Sequence, residues 1–174
     1  MVLSLTHRAP DEEIFGRLAS ELVAELPERL SSRVLHNADR LAGLPALVDG
    51  EVRWSYAELG REIRATAEWL DALGVRPGDR IMTVSENGRA LVALLLAASE
   101  RDVWVAIVNS RLSALEIDAI RDNCQPRRVF YTSEVSPDAD AHGLRHGAEI
   151  YDHPSLGRLR LSEPVEVEPE PVAA

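Results

Sequence analysis

Between residues 11 and 26 the apolar positions fall on Ile14, Phe15, Leu18, Leu22, Val23 and Leu26, the spacing of one helical face. Asp11, Glu12 and Glu13 would sit in its first turn, where negative charge favours the helix dipole. Pro27 ends that pattern. A second run through Leu30, Val34, Leu35, Ala38 and Leu41 predicts another helix, stopped by Gly43 and Pro45. Two such helices either dock a partner or pack on their own domain, and packing is the commoner use. Ala46 to Val48 and Glu51 to Trp54 flank Asp49-Gly50, a strong hairpin signal. Ser55-Tyr56-Ala57-Glu58 then reads as a capping box. It opens a helix to about Leu73, with Leu59, Ile63, Ala67 and Leu70 inward and Gly74 suited to the left-handed cap.

From Arg80 the period changes. Ile81 to Val84 predicts a strand, Arg89 to Ser99 a helix, and Val103 to Val108 a strand buried on both faces. Ser113-Ala114-Leu115-Glu116 is a second capping box, opening a helix with Leu115, Ile117 and Ile120 that closes before Pro126, and Val129 to Tyr131 is the next strand. This alternation predicts an α/β fold: a parallel sheet with flanking helices, preceded by N-terminal helices and a small hairpin. Residues 133–147 read as turn-rich, and Ala148 to Tyr151 as a last short strand. From Glu163 to Ala174 the chain alternates Glu, Pro and Val, and Pro164, Pro169 and Pro171 forbid a helix, so an extended linker or tail is expected. The expected division is a helical segment over 1–43, an α/β unit over 44–160 and an acidic linker over 161–174.

Composition narrows the chemistry. The 174 residues carry 19 basic side chains, every one an arginine, against 29 acidic ones, for a net charge of −10. Without lysine there is no lysine-bearing phosphate loop and no Schiff base. The negative balance argues against nucleic acid as a partner, since that interaction rests on cationic neutralisation of phosphates. No apolar window predicts a membrane span, no signal pattern opens the chain, and the single Cys124 allows no internal disulfide, so a cytoplasmic protein is expected.

In open α/β sheets ligands gather at the carboxyl ends of the strands, here Ser85-Glu86-Asn87 and Asn109-Ser110-Arg111. Asn87, Asn109 and Arg111 are the candidate residues for that edge, with helix and turn capping as the alternative role. Ser85-Glu86-Asn87-Gly88 could turn amides toward an anion, but it lacks the three-glycine fingerprint and reads better as a turn. His142 and His146 have metal-ligand spacing only on a helix, which Gly143 and Gly147 disfavour, so no metal site is expected. Cys124 has no nearby base and reads as a packed thiol, and Trp54, Trp69 and Trp104 read as core and rim packing. No catalytic residue is evident.

Three segments, in this order and at this spacing, resemble the beginning of the AMP-forming adenylating enzymes, the superfamily of acyl- and aryl-CoA ligases. They are Pro45 to Gly50 leading into Trp54-Ser55-Tyr56-Ala57-Glu58-Leu59, Leu73-Gly74-Val75-Arg76-Pro77-Gly78-Asp79-Arg80, and Asn109-Ser110-Arg111-Leu112-Ser113. The chain departs from the family pattern at Glu86, Asp102, Ile107 and Ser110. The resemblance covers roughly residues 30 to 135 and implies an N-terminal portion of such a ligase. The parent reaction it implies is carboxylate plus ATP giving an acyl-adenylate, then thiol attack by CoA. ATP, Mg²⁺ and CoA are implied for the full-length family member and none for this chain, which lacks the family's lysine-bearing loop and is expected to be inactive alone. The implied partners are the remainder of the enzyme or a second copy of the chain. The rival from another class is a stand-alone, non-catalytic α/β interaction or regulatory module.

Overall fold

A computed structural model describes residues 13–172. The helix expected over 11–26 is mostly replaced. Strands β1 (Glu13–Ile14) and β2 (Arg17–Leu18) form a ribbon turned by Phe15 and Gly16, both at positive φ, and α1 covers only Ala19–Ala24. A glycine inside a helix costs about 1 kcal/mol against alanine, whereas in a turn its left-handed conformation is free. Asp11 and Glu12 lie outside the described residues. Helix α1 buries no residue, but α2 (Leu30–Arg40) packs on its own domain. Ala38 of α2 lies so close to Gly60 that a Cβ there would stand 2.7 Å from it.

Strands β3 (Pro45–Asp49) and β4 (Val52–Ser55) form the expected hairpin, with one shift. Asp49 pairs with Val52, so the loop is Gly50 and Glu51 rather than Asp49 and Gly50. Helix α3 (Tyr56–Ala72) opens on a complete capping box: Ser55 N donates to Glu58 Oε2 at 2.7 Å and Glu58 N to Ser55 Oγ at 3.3 Å. It closes with Gly74 at φ +76°, where Gly74 N donates to Asp71 O and Val75 N to Leu70 O, the paired bonds of a Schellman end.

Strands β5 (Arg80–Ser85), β6 (Trp104–Asn109) and β7 (Arg128–Tyr131) run parallel, joined through helices α4 (Arg89–Glu100) and α5 (Ala114–Cys124). The full sheet is mixed. Strands β8 (Glu149–His153) and β9 (Gly157–Leu161) add antiparallel, giving the order β6-β5-β7-β9-β8. Two expectations fail here. Strand β6 is an edge, with Trp104 58% and Ile107 51% exposed, because β7 takes the other side of β5. The turn-rich 133–147 contains α6 (Pro137–Arg145), begun by Ser136 Oγ accepting from Ala139 N at 3.1 Å, with Pro137 in its first turn. Gly143 inside it is a packing requirement, since a Cβ would meet Arg160 Cδ at 2.7 Å.

The sheet separates two cores. Ile63, Leu70, Ile81, Leu94 and Phe130 fill the side of α3 and α4; Met82, Val84, Ile117, Val129 and Tyr131 fill the side of α5 and α6. Trp54 is buried, Trp69 stacks on Tyr151 with ring centres 5.2 Å apart, and Trp104 is exposed. No helix among the described residues is long and apolar enough to cross a membrane. Residues 162–172 carry no helix or strand.

Candidate functional site at the carboxyl edge of the sheet

The parallel register aligns Ser85 with Asn109 and Val84 with Tyr131, so the three loops leaving β5, β6 and β7 share one edge. Asn87 is exposed on the first loop. Asn109 and Arg111 sit on the second, where Asn109 Oδ1 accepts from Arg111 N at 2.9 Å and Arg111 Nε donates to Glu86 Oε1 at 2.6 Å. Asn109 and Arg111 thus meet each other and Glu86 and shape the turn, while among the described residues the Asn87 amide makes no side-chain bond. The Arg111 side chain remains 72% exposed and can still offer donors to an incoming group.

Behind them lies a buried hydroxyl chain. Ser136 Oγ donates to Ser110 Oγ at 2.9 Å, and Ser110 Oγ reaches Glu86 Oε1 at 3.5 Å. His142 Nε2 faces the carbonyls of Ser110 and Leu112 at 3.2 and 3.1 Å, so it carries the proton and donates. Thr132 Oγ1, at the end of β7, is buried without a partner.

The N-terminus of α4 is not an open anion cradle. Asp49 Oδ2, reaching over from β3, accepts from Arg89 N at 2.9 Å and from Arg89 Nη1 at 3.3 Å. The Arg89 guanidinium also binds Ser155 O at 2.9 Å and the Glu134 carboxylate. The Arg158 backbone N–H and the Arg89 guanidinium hold the Glu134 carboxyl below the usual carboxylate range. Asp49 therefore caps a helix forty residues away from it in sequence. Asp49→Ala is expected to cost about 1–2 kcal/mol by the loss of a helix cap, measured by urea unfolding. No change would show that water replaces the carboxylate.

The two histidine rings engage different partners. His142 lies on α6 and His146 caps it, so the glycines did not prevent the helix. His146 Nε2 donates to Asp118 Oδ1 at 2.7 Å and its Nδ1 accepts from Tyr131 Oη at 2.5 Å. The Arg145 and His146 hydrogen bonds bring Asp118 down to about 2, and burial pushes Tyr131 up to about 12. Both partners are thus held away from acid–base work near neutrality. Cys124 is half-buried and burial raises its thiol, which leaves it a packed group.

Sequence reasoning missed Asp49, Glu134 and Ser136 at this edge. Ser136-Pro137 followed by Asp138 and Asp140 was a legible helix start. Asp49 and Glu134 gave no local signal, because their partner Arg89 is remote in sequence. The assembled edge positions groups, and its hydroxyl–carboxylate pair of Ser110 with Glu86 is a long 3.5 Å contact of a buried serine. The α4 amide is taken by Asp49 and the Arg89 guanidinium by Asp49 and Glu134, whereas most of the Arg111 guanidinium stays exposed beyond its bond to Glu86.

The family described as AMP-binding enzyme matches residues 34–171. The chain is 29% identical over 91 residues to the long-chain-fatty-acid–CoA ligase FadD13 of Mycobacterium tuberculosis, a stretch covering 52% of this chain and 18% of that protein. It is 36% identical over 73 residues to a feruloyl-CoA synthase of Amycolatopsis sp, covering 42% of this chain and 15% of the relative. Among solved structures it is similar to the N-terminal domain of FACL13 from Mycobacterium tuberculosis, with a TM-score of 0.61 and 26% identity over 66% of this chain and 30% of that one. The match thus spans less than a fifth of the length of either curated relative.

Proposed function

The chain belongs to the AMP-binding enzyme family of acyl- and aryl-CoA ligases, and on that premise we propose that it supplies the first α/β unit of an AMP-forming ligase and has no adenylating activity by itself. Members of this family use ATP, Mg²⁺ and CoA. The proposed role for this unit is scaffolding: the carboxyl edge, with Asn87, Asn109 and Arg111, faces the remainder of the ligase, or a second copy of the chain, and helps orient what binds there. The proposed setting is the cytoplasm.

One observation carries the inactive half of this reading. The helix terminus best placed to receive a phosphate, that of α4, is already capped by the Asp49 carboxylate, which would repel one. Clamping of phosphates by a loop, a cation and Mg²⁺ is the main source of catalysis in such chemistry, and the lack of any lysine in these 174 residues supports the same reading. The purified chain is expected to show carboxylate-dependent ATP–pyrophosphate exchange at the blank rate with acetate, a long-chain fatty acid and benzoate. Exchange above the blank with any of them overturns the proposal.

A further inference from the structure

Opposite the carboxyl edge, residues 162–172 run back along the amino ends of the strands instead of leaving the domain. Val165 N donates to Arg127 O and Glu170 N to Gly78 O, both at 2.8 Å, so the strap is fixed near its two ends. Between these points Arg76 Nη2 donates to Val167 O at 3.0 Å, and Glu170 Oε1 accepts from Arg80 Nη1 at 2.5 Å. Gly78 stands at φ +83°, and a Cβ there would collide with the Glu170 carbonyl. The edge thus recognises an extended acidic segment by backbone bonds and by arginines, the way a peptide groove does.

The occupant fits its groove badly in two independent respects. Glu166 lies 3.3 Å from Arg127 Nη1, yet that nitrogen, on a side chain only 9% exposed, makes no hydrogen bond. A nearly buried guanidinium nitrogen held by an ion pair alone, without a hydrogen bond, gains less than a better aligned carboxylate would give it. Second, a groove of about 1130 Å³, half open to solvent, runs between the strap and the wall of Pro126, Val129 and Tyr131, with Val165 among the residues that line it. That space exceeds what a valine side chain can fill and is as large as many ligand pockets. Val165 itself stays 56% exposed.

From this mismatch we infer that the amino edge is a docking groove for an extended acidic peptide of a partner protein, carrying a bulky apolar side chain where the strap has Val165, and that residues 163–171 are its built-in competitor. Charge complementarity sets the class of ligand. Without the strap, Arg76 and Arg127 keep the buried Asp79 as a carboxylate partner and Arg80 keeps only the Cys124 carbonyl, which leaves a cationic track on a protein of net charge −10. The strap's ion pairs lie at the surface, Glu166 being 81% and Glu170 54% exposed, so solvent and salt weaken them and exchange is open to an incoming peptide.

The test uses the full chain carrying Glu166→Gln and Glu170→Gln, two exposed substitutions that loosen the strap and leave the cores intact. Two fluorescent peptides with the sequence of residues 162–172, one unchanged and one with Val165→Trp, are titrated at low salt and followed by anisotropy. The tryptophan peptide is expected to bind the loosened chain about tenfold tighter than the unchanged peptide does, and about tenfold tighter than it binds the wild-type chain. Adding Arg76→Gln with Arg80→Gln, or about 0.5 M salt, is expected to abolish binding. No binding of the tryptophan peptide to the loosened chain, equal binding of the two peptides, or binding indifferent to the arginine substitutions overturns the inference.

Discussion

Asp79→Asn is expected to destabilise the protein by about 3–5 kcal/mol, lowering the melting temperature by roughly 10 °C. Asp79 is fully buried just before β5, where its Oδ2 accepts from Arg76 N at 2.7 Å and lies 3.3 and 3.4 Å from Arg76 Nε and Arg127 Nε. The Arg127 side chain is itself nearly buried and anchored by Nε to Gly74 O at 2.6 Å, so it cannot leave for water when its counter-charge is removed. Asparagine keeps the shape but offers a neutral oxygen and an amide donor to two cations. Glu166 remains 3.3 Å from Arg127 but is 81% exposed, so the penalty is that of a buried charge left with only a solvent-screened partner, which exceeds the net worth of the pair. Urea unfolding of Asp79→Asn beside Arg76→Gln separates the cases. Arg76 is 44% exposed and its loss is expected to cost under about 1 kcal/mol. Equal, small losses in both variants would mean that Arg127 relaxes to solvent.

Phe130→Ala is expected to cost about 3–5 kcal/mol, and Phe130→Leu roughly a third of that. Phe130 is fully buried at the middle of the sheet, opposite Thr83 of β5 and Leu161 of β9, with its ring edge-on to Trp69 at 5.7 Å. Truncation removes the transfer energy of the ring and leaves a void walled by strands on both sides, which have little freedom to close it. The leucine variant refills most of that void. If both variants lose the same amount, the aromatic edge contact rather than volume carries the stability. Tryptophan fluorescence reports the same event, since Trp69 loses its neighbour.

Local signals were readable wherever a residue's partner lies within a turn of helix or a hairpin. Ser55 with Glu58 and Ser113 with Glu116 form both capping boxes as spaced, and Gly74 closes α3 at positive φ. The same reading failed at Phe15-Gly16, where a helical apolar spacing was coincidental, and at Gly143, whose lack of a side chain is demanded by Arg160 and Tyr131 rather than by a turn. Strand β6 shows the limit most plainly. Its run from Trp104 to Val108 has the apolar continuity of a central strand, yet it lies at the edge.

At the candidate edge, order along the chain placed Asn87, Asn109 and Arg111 after the strands that present them. What surrounds them was hidden: Asp49 on Arg89, Glu134 on the same guanidinium, and Ser136 on Ser110 span 40, 45 and 26 residues. A charge or hydroxyl at such a separation carries no mark of its partner.

By itself the sequence determined the alternation of helix and strand, the caps and a basic complement made of arginine alone, because propensity, periodicity and composition act over a few residues or none. Only the tertiary structure decided which strand is the edge, that two antiparallel strands complete the sheet, that Asp49 closes the α4 terminus, and that the acidic strap lies on the arginines of the amino edge. Those outcomes follow from pairing and charge compensation between segments far apart in the chain, which exist only once the sheet has brought them within a few ångströms.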